Sequence, residues 1–272
     1  LSISRSSKDI ISRKIDFIKD PFYIVILIAS IYMIVFLYVP IIISITRIFS
    51  TDLSVMLILN SIPILIRTLI ISAITTLISI LIALVISYYL SFYTTYLEKI
   101  IFIIMITSSY WIGSLLKTYS LAYLIFLLEN ILGQRILYTD IAIYIGMIYN
   151  YSPLAIIPIF LAMERIDRIY IESARCLGAG ETHIFMKVIM PMSKPGVLAG
   201  FLLVFTGSMG EIIIPQILGG SPRYMIGQWI YELTFSFKRV SDASLLSIIY
   251  LIISLATVIS IYRKAGREVV IF

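Results

Sequence analysis

The chain has 272 residues, 60% of them hydrophobic and 13% charged, with a mean hydropathy of +1.05 and a formal net charge of +6. Soluble domains hold about 45–50% apolar and about 25% charged residues, so this chain cannot cover itself with polar surface and must be solvated by lipid. The positive charge then reads as Lys and Arg gathered on the cytoplasmic side of a bilayer, not as a nucleic-acid surface. A single cysteine, Cys176, excludes an internal disulfide, and a single histidine, His183, excludes most His-based metal sites and catalysis.

Residues 1–20 form a polar, basic N-terminal segment. Phe22 to Thr46 is free of charge and long enough to cross about 30 Å of hydrocarbon. Pro40 interrupts it where a signal peptide would carry a small-residue cleavage site, which predicts an uncleaved first span. Thr68 to Leu97 is the second, preceded by Pro63 as a first-turn residue. Thr68, Ser72, Thr75, Thr76, Ser79 and Ala83 recur at helical spacing and form one small, polar face. Such a face either packs closely on a neighbour or lines a path, and close packing is the simpler reading. Ile100 to Leu116 reads as the third span, with Trp111 and Lys117 as interfacial anchors, and Thr118 to Leu128 as a short interfacial or re-entrant helix. Gly133 and Gln134 end that piece.

Ile141 to Met163 is the fourth span, with Pro153 and Pro158 inside. Residues 164–194 are the one long polar interruption, and Pro195 to Ile217 resumes the apolar pattern with Glu211 and Pro215 embedded. Ala243 to Tyr262 is the last span, followed by Arg263, Lys264 and Arg267. An even number of spans puts both termini on one side. Of the 21 Lys and Arg, only Arg47, Arg67, Lys117, Arg135, Arg223, Lys238 and Arg239 fall in the opposite loops. The bias predicts cytoplasmic termini and a cytoplasmic 164–194 loop. The expected organisation is an all-α membrane protein: an N-terminal segment 1–20, a six-helix domain 21–263 and a cytoplasmic tail 264–272.

Within the loop, Asp167 to Leu177 reads as a short helix with Asp167 as N-cap. Gly178 and Gly180 stop it, because glycine takes a left-handed turn without steric cost. A second short helix follows from Glu181 or Thr182 to Pro191, with Ile184, Phe185, Val188 and Ile189 on its apolar side. By spacing alone, this pair is either an ordinary interfacial hairpin or a docking element.

The residues Glu172-Ser173-Ala174, Gly178, Val188, Met190 and Pro191 resemble the signature loop of ABC importer permeases. That loop reads Glu-Ala-Ala, three residues, Gly, nine residues, Ile, one residue, Leu-Pro; here Ser173, Val188 and Met190 depart from it in kind but not in size. The resemblance implies a type I permease bundle in a bacterial inner membrane. It also implies that Glu172 and Gly178 fix the elbow and that Ala174 and apolar neighbours seat in a groove of an ATPase subunit. Implied partners are a second permease subunit, two ATPase subunits and a periplasmic or extracellular substrate-binding protein. Gly210-Glu211, Pro215, Leu218-Gly219-Gly220 and Met225-Ile226-Gly227 are similar to permeases of polyamine (spermidine/putrescine) importers. Leu115-Leu116-Lys117-Thr118-Tyr119 resembles another segment of that group, where Arg is more usual than Lys, and Ile212 stands where Phe is favoured. The likeness runs from about residue 60 onward. Permeases for iron(III) or sulfate share the fold and the loop.

No Gly-x-x-x-x-Gly-Lys-Ser/Thr occurs, so the chain lacks a phosphate-cradling loop. It is expected to be no enzyme and to hold no cofactor, with ATP and Mg on the partner ATPase. Gly207-Ser208-Met209-Gly210 has no base nearby for a membrane serine protease, since His183 lies in the polar loop. A self-contained secondary carrier calls for paired ionisable groups at mid-membrane, and Glu211 is the one that the apolar runs offer. A carboxylate there costs about 2.5–3.5 kcal/mol on insertion scales. Glu211 is thus either a counter-charge on the translocation path, suited to a polyammonium substrate, or a structural group at a helix end. Tyr110, Trp111, Tyr119, Trp229 and Tyr231 form either an aromatic cation site or, more simply, a membrane belt. Asp52, Glu129, Asp140 and Glu232 are the acids available to a docking binding protein.

Overall fold

The computed structural model describes residues 21–48, 55–220 and 223–269, and every regular element among them is helical. The basic segment 1–20 and Asp52 lie outside the described residues. Among the described residues, six helices are long and apolar enough to cross a membrane. Two units are distinguished, residues 1–53 and 54–272. The first contributes helix α1, Pro21–Ile48, which continues through Pro40 although that residue has no N–H to give.

The second unit opens with α2, Val55–Tyr93, a helix of 39 residues that begins upstream of the predicted Thr68 and ends before Leu97. Pro63 therefore lies inside the helix, not at its first turn. The small polar face of α2 is fully buried from Thr68 to Ala83. It seats against α5 (Asp140–Glu164) and α7 (Glu181–Met209), which supports close packing over a path lining. Small residues let these backbones approach; Thr76 Oγ1 donates to the Ser72 carbonyl at 2.6 Å and, further along α2, Ser87 Oγ to the Ile156 carbonyl at 3.2 Å, whereas Ser72 Oγ and Thr75 Oγ1 are buried without a hydrogen-bond partner among the described residues.

The third pass differs from the expected one. Helix α3 is Tyr96–Trp111 and α4 is Ser114–Leu132, separated by extended backbone at Ile112 and Gly113. Contacts with α5 follow that helix backwards along its whole length. Lys99 Nζ meets Glu164 at 2.7 Å, Lys117 lies over the Tyr149 ring, and Glu129 accepts from the N–H groups of Ile136 and Leu137. Helices α3 and α4 thus return along α5 in two pieces, of which α4 by itself is long and apolar enough to cross a membrane. The third candidate span is therefore 114–132, in place of 100–116 followed by a short interfacial helix at 118–128. Helix α2 runs parallel to α5, as the pairs Arg67–Asp140 (2.6 Å) and Ser79–Ser152 (3.4 Å) require.

Short α6 is Arg168–Cys176. Helix α7 does not yield at Pro191 as expected. Residues Phe185–Ile189 adopt a π-helical turn, in which the Met190 N–H donates to the Phe185 carbonyl, and Pro191 follows in the first turn of the next α-helical stretch. Proline removes one helical hydrogen bond and crowds the carbonyl four residues back, and a widened turn absorbs both effects. The apolar stretch from Pro195 therefore begins inside a helix already under way from Glu181, and it stops at Met209, short of Glu211. A π-turn at Pro215–Gly219 follows, then α8 (Ile226–Phe235) and α9 (Val240–Val269).

Helices α5 and α7 approach closely at Gly196, where a Cβ would stand 2.5 Å from both the Pro158 carbonyl oxygen and the Ala162 Cβ. Backbone cannot yield as a flexible side chain can, and overpacking costs about 1–3 kcal/mol. Gly196→Val is accordingly expected to lower the melting temperature of the detergent-purified protein. An unchanged midpoint would mean that the two helices separate without cost.

Candidate functional site

Two features stand out, an exposed elbow at one end of the second unit and a polar centre at mid-depth. The elbow is built by α6 and the start of α7. Asp167 caps α6, accepting from the Ile169 N–H at 3.1 Å. At the other end Gly178 takes φ +82°, the Gly178 N–H donates to the Arg175 carbonyl (2.9 Å) and the Ala179 N–H to the Ala174 carbonyl (3.0 Å). This paired pattern is the Schellman termination, which needs a left-handed residue at the glycine position. Nothing lies within 4 Å of a Cβ placed there, so the requirement is conformational and not steric.

Arg175 and Tyr88, which carry no motif signal in the sequence, pin the elbow. Arg175 meets Glu181 at 2.7 Å, and Glu181 also accepts from the Tyr88 hydroxyl at 3.4 Å, tying the turn to the end of α2. The Phe185 ring packs edge-on against Tyr88 with centroids 5.3 Å apart. Glu172 lines, with Arg168 and Arg175, a cavity of about 180 Å³ between α6 and the end of α2. Of the other signature residues, Ser173 is exposed, while Ala174, Val188 and Met190 pack on the chain's own core around Ile171, Ile184 and Ile189. Pro191 lies at the start of the α-helical stretch described above. The outward face carries Ile169, Tyr170 and Leu177, the last 88% exposed. A free cysteine, Cys176, lies exposed beside them.

The polar centre forms where two helices are interrupted. Tyr151 sits near the middle of the 25-residue α5, and its hydroxyl donates to Glu211 Oε2 at 2.7 Å, with the Gly207 carbonyl 2.9 Å away. Glu211 lies just past the end of α7. Its Oε1 accepts from the N–H groups of Ile212 (3.1 Å), Ile213 (2.9 Å) and Ile214 (3.4 Å). A carboxylate there satisfies donors that otherwise stand free at the start of a helical turn. Tyr250 of α9 reaches the same level, its hydroxyl 3.2 Å from where a Cβ on Gly210 would stand. Lys117, one turn past the break between α3 and α4, is 7% exposed, and its Nζ lies 6.0 Å from the centroid of the Tyr149 ring. The expected role of Lys117 as an interfacial anchor beside Trp111 is overturned by this burial.

Residues 11–265 match the family described as binding-protein-dependent transport system inner membrane component. The chain belongs to that family, and it is an ABC importer permease. Among curated relatives, the permease resembles the spermidine/putrescine transport system permease protein PotB of Haemophilus influenzae, at 31% identity over 63% of this chain and 63% of the relative. It also resembles the PotB protein of Escherichia coli, at 29% identity over 58% of this chain and 61% of the relative. The matched part thus spans about three fifths of the length of these relatives. A solved chain of a bacterial ABC transporter involved in the import of alginate has the same fold, with a TM-score of 0.73 at 16% identity over 97% of this chain and 99% of that one.

At the end of the permease opposite the elbow, two of the acids considered for partner docking have internal roles. Asp140 meets Arg67 at 2.6 Å and Arg223 at 3.3 Å, and Glu129 caps the backbone at Ile136 and Leu137. Trp229 donates from Nε1 to Ser61 Oγ at 2.9 Å, with its ring tilted against those of Tyr224 and Phe237, so it pins α8 to α2.

Proposed function

We propose that this chain is one permease subunit of an ATP-driven polyamine importer in a bacterial cytoplasmic membrane. It forms half of the translocation path with a second permease subunit and receives substrate from a separate binding protein. Residues 164–194 and both termini face the cytoplasm, and the elbow docks an ATPase subunit that holds ATP and Mg. The observation that carries the reading is the elbow itself: the signature residues are folded into a glycine-terminated helical hairpin that turns Tyr170 and Leu177 outward. The polyamine class draws support from the relatives, whose names specify spermidine and putrescine. Glu211 supplies a negative group at mid-depth along the path. ATP binding pulls the elbows together and turns the cavity outward, and hydrolysis reopens it inward.

Half-buried Ala174 and exposed Leu177 line one open hollow on the elbow, and with the exposed Tyr170 and Ser173 they form the surface offered to the ATPase groove.

Cys176 is a built-in reporter of orientation, since it is the only cysteine and is exposed on α6. A membrane-impermeant maleimide is expected to label it in inverted vesicles and to spare it in intact spheroplasts. Labelling from the outside would remove the docking role. In proteoliposomes, spermidine uptake is expected only with the ATPase, the binding protein and ATP present. Uptake by this chain alone would make it a secondary carrier. The buried Lys117 ammonium favours one competing cargo, an anion such as sulfate, and the same assay with sulfate separates the two.

A further inference from the structure

The cavity of about 180 Å³ between α6 and the end of α2 holds charges that the fold does not use. Arg168 and Glu172 line it, and neither makes a hydrogen bond or ion pair with another described residue. They stand four residues apart on α6, but the base precedes the acid, the weaker order for a helical pair. Arg168 also sits in the first turn of α6, where the helix dipole disfavours a cation and favours an anion. Arg175, which lines the cavity too, is neutralised by Glu181 at 2.7 Å. An unpaired cation and an unpaired anion thus share one hollow, walled by the rings of Tyr88, Phe92 and Tyr93. That set fits a zwitterion: guanidinium forks suit a phosphate, and a carboxylate with aromatic faces suits an ammonium. The volume is below the about 300–1,000 Å³ of pockets that enclose a ligand of drug size, so there is room for a lipid headgroup and not for a nucleotide.

Helix α2 fixes the level of the cavity. Its candidate span ends at Tyr93, so the rings stand where a membrane helix meets water, at the depth of the headgroups. Leu77, Leu81, Val85, Tyr89 and Tyr93 are all exposed, and their four-residue spacing sets them in one row along the helix. The Tyr89 and Tyr93 rings stack at the end of the row, with centroids 6.3 Å apart. The row leads to the cavity wall at Tyr93 as an acyl chain leads to its headgroup. On α6, helical spacing puts Tyr170 and Ser173 about half a turn away from Arg168, Ile171 and Arg175, so the cavity side and the outward side of this helix are distinct.

We propose that this cavity binds the headgroup of a phosphoethanolamine lipid. The phosphate lies between Arg168 and Arg175, the ammonium meets Glu172 and the tyrosine rings, and an acyl chain follows the row on α2. The bound lipid ties one side of the elbow to the membrane surface and leaves the other side to the ATPase. The site is separate from the solute path and does not depend on the solute carried.

The test is equilibrium binding of three radiolabelled ligands to the assembled permease–ATPase complex, stripped of lipid in detergent. The ligands are short-chain phosphatidylethanolamine, short-chain phosphatidylglycerol and chain-free glycerophosphoethanolamine. Wild type is expected to bind phosphatidylethanolamine at least about tenfold more tightly than either of the others, since one lacks the ammonium and the other the chains. Arg168→Gln is expected to weaken both lipids at least about tenfold. Glu172→Gln is expected to weaken phosphatidylethanolamine by the same factor and to tighten phosphatidylglycerol, a change of preference that a loosened fold does not produce. The wild-type comparison stands by itself should either variant fail to assemble. Equal wild-type affinity for the two lipids, or parallel losses of both in Glu172→Gln, overturns the proposal. So does glycerophosphoethanolamine bound as tightly as the lipid, which would make the ligand a soluble phosphate ester. Lipid held by the permease alone and lost on assembly also overturns it, because a side chain of the ATPase would then fill the cavity.

Discussion

Gly178→Val is expected to leave the permease in the membrane and to strip it of its ATPase. Copurification of the two chains should fall at least about tenfold, and uptake with it. Gly178 holds φ +82°, and an L-residue in that region costs about 1–2 kcal/mol, more when it is β-branched. Because every 1.4 kcal/mol is about tenfold in an equilibrium, the elbow spends most of its time in another geometry. The loss is confined there, since nothing in the bundle lies near the Gly178 side-chain position. Measured quantities would be membrane yield, ATPase copurification and binding-protein-dependent uptake. Wild-type copurification in Gly178→Val would show that the ATPase does not grip this turn. Gly178→Asn, with a residue that visits the left-handed region more readily, is expected to retain more of both functions.

Glu211 calls for two substitutions, because it has two possible duties. Glu211→Ala removes the acceptor for the N–H groups of Ile212, Ile213 and Ile214 and the partner of Tyr151. Loss of such a cap costs about 0.5–2 kcal/mol, while the Tyr151 hydroxyl keeps the Gly207 carbonyl as its acceptor. Reduced thermal stability and uptake lowered by up to about tenfold are expected from that cost. Glu211→Gln keeps an oxygen for the cap and removes the charge. It should assemble and melt as wild type, yet transport polyamines at a rate lowered by about tenfold, the loss expected for one charged hydrogen bond. If Glu211→Gln transports at the wild-type rate while Glu211→Ala does not, the carboxylate serves as a cap and nothing more.

Much of the architecture is legible in the amino-acid order alone. Lipid solvation, the six apolar helices, the Asp167 cap and the Gly178 stop follow from composition and local backbone chemistry. The buried face of α2 is visible as a spacing of small polar residues. The errors in the third pass share one cause. Hydropathy measures how greasy a window is, and it is blind to where a helix breaks inside a greasy window. Ile112 and Gly113 interrupt the third pass without any polar run to announce them. Lys117, four residues on, has the local signature of an interfacial anchor, because a lysine near a tryptophan usually is one. The aromatic ring it lies over, Tyr149, comes from a segment far away in the chain. Pro191 misleads in the opposite sense: a proline signals a helix end, yet a π-turn just before it lets the helix run on.

What the residues determine by themselves is the kind of solvent this chain needs, the number of its apolar helices and the glycine-terminated elbow, because these depend on neighbours within a turn or two. Only the tertiary structure decides which polar groups share the interior. Glu211 meets Tyr151 because the end of α7 comes beside the middle of α5, and Lys117 lies over Tyr149 because α4 returns along α5. The physical reason is that a charge in a dry interior is set by what stands within a few ångströms of it, and those neighbours are supplied by packing and not by adjacency along the chain.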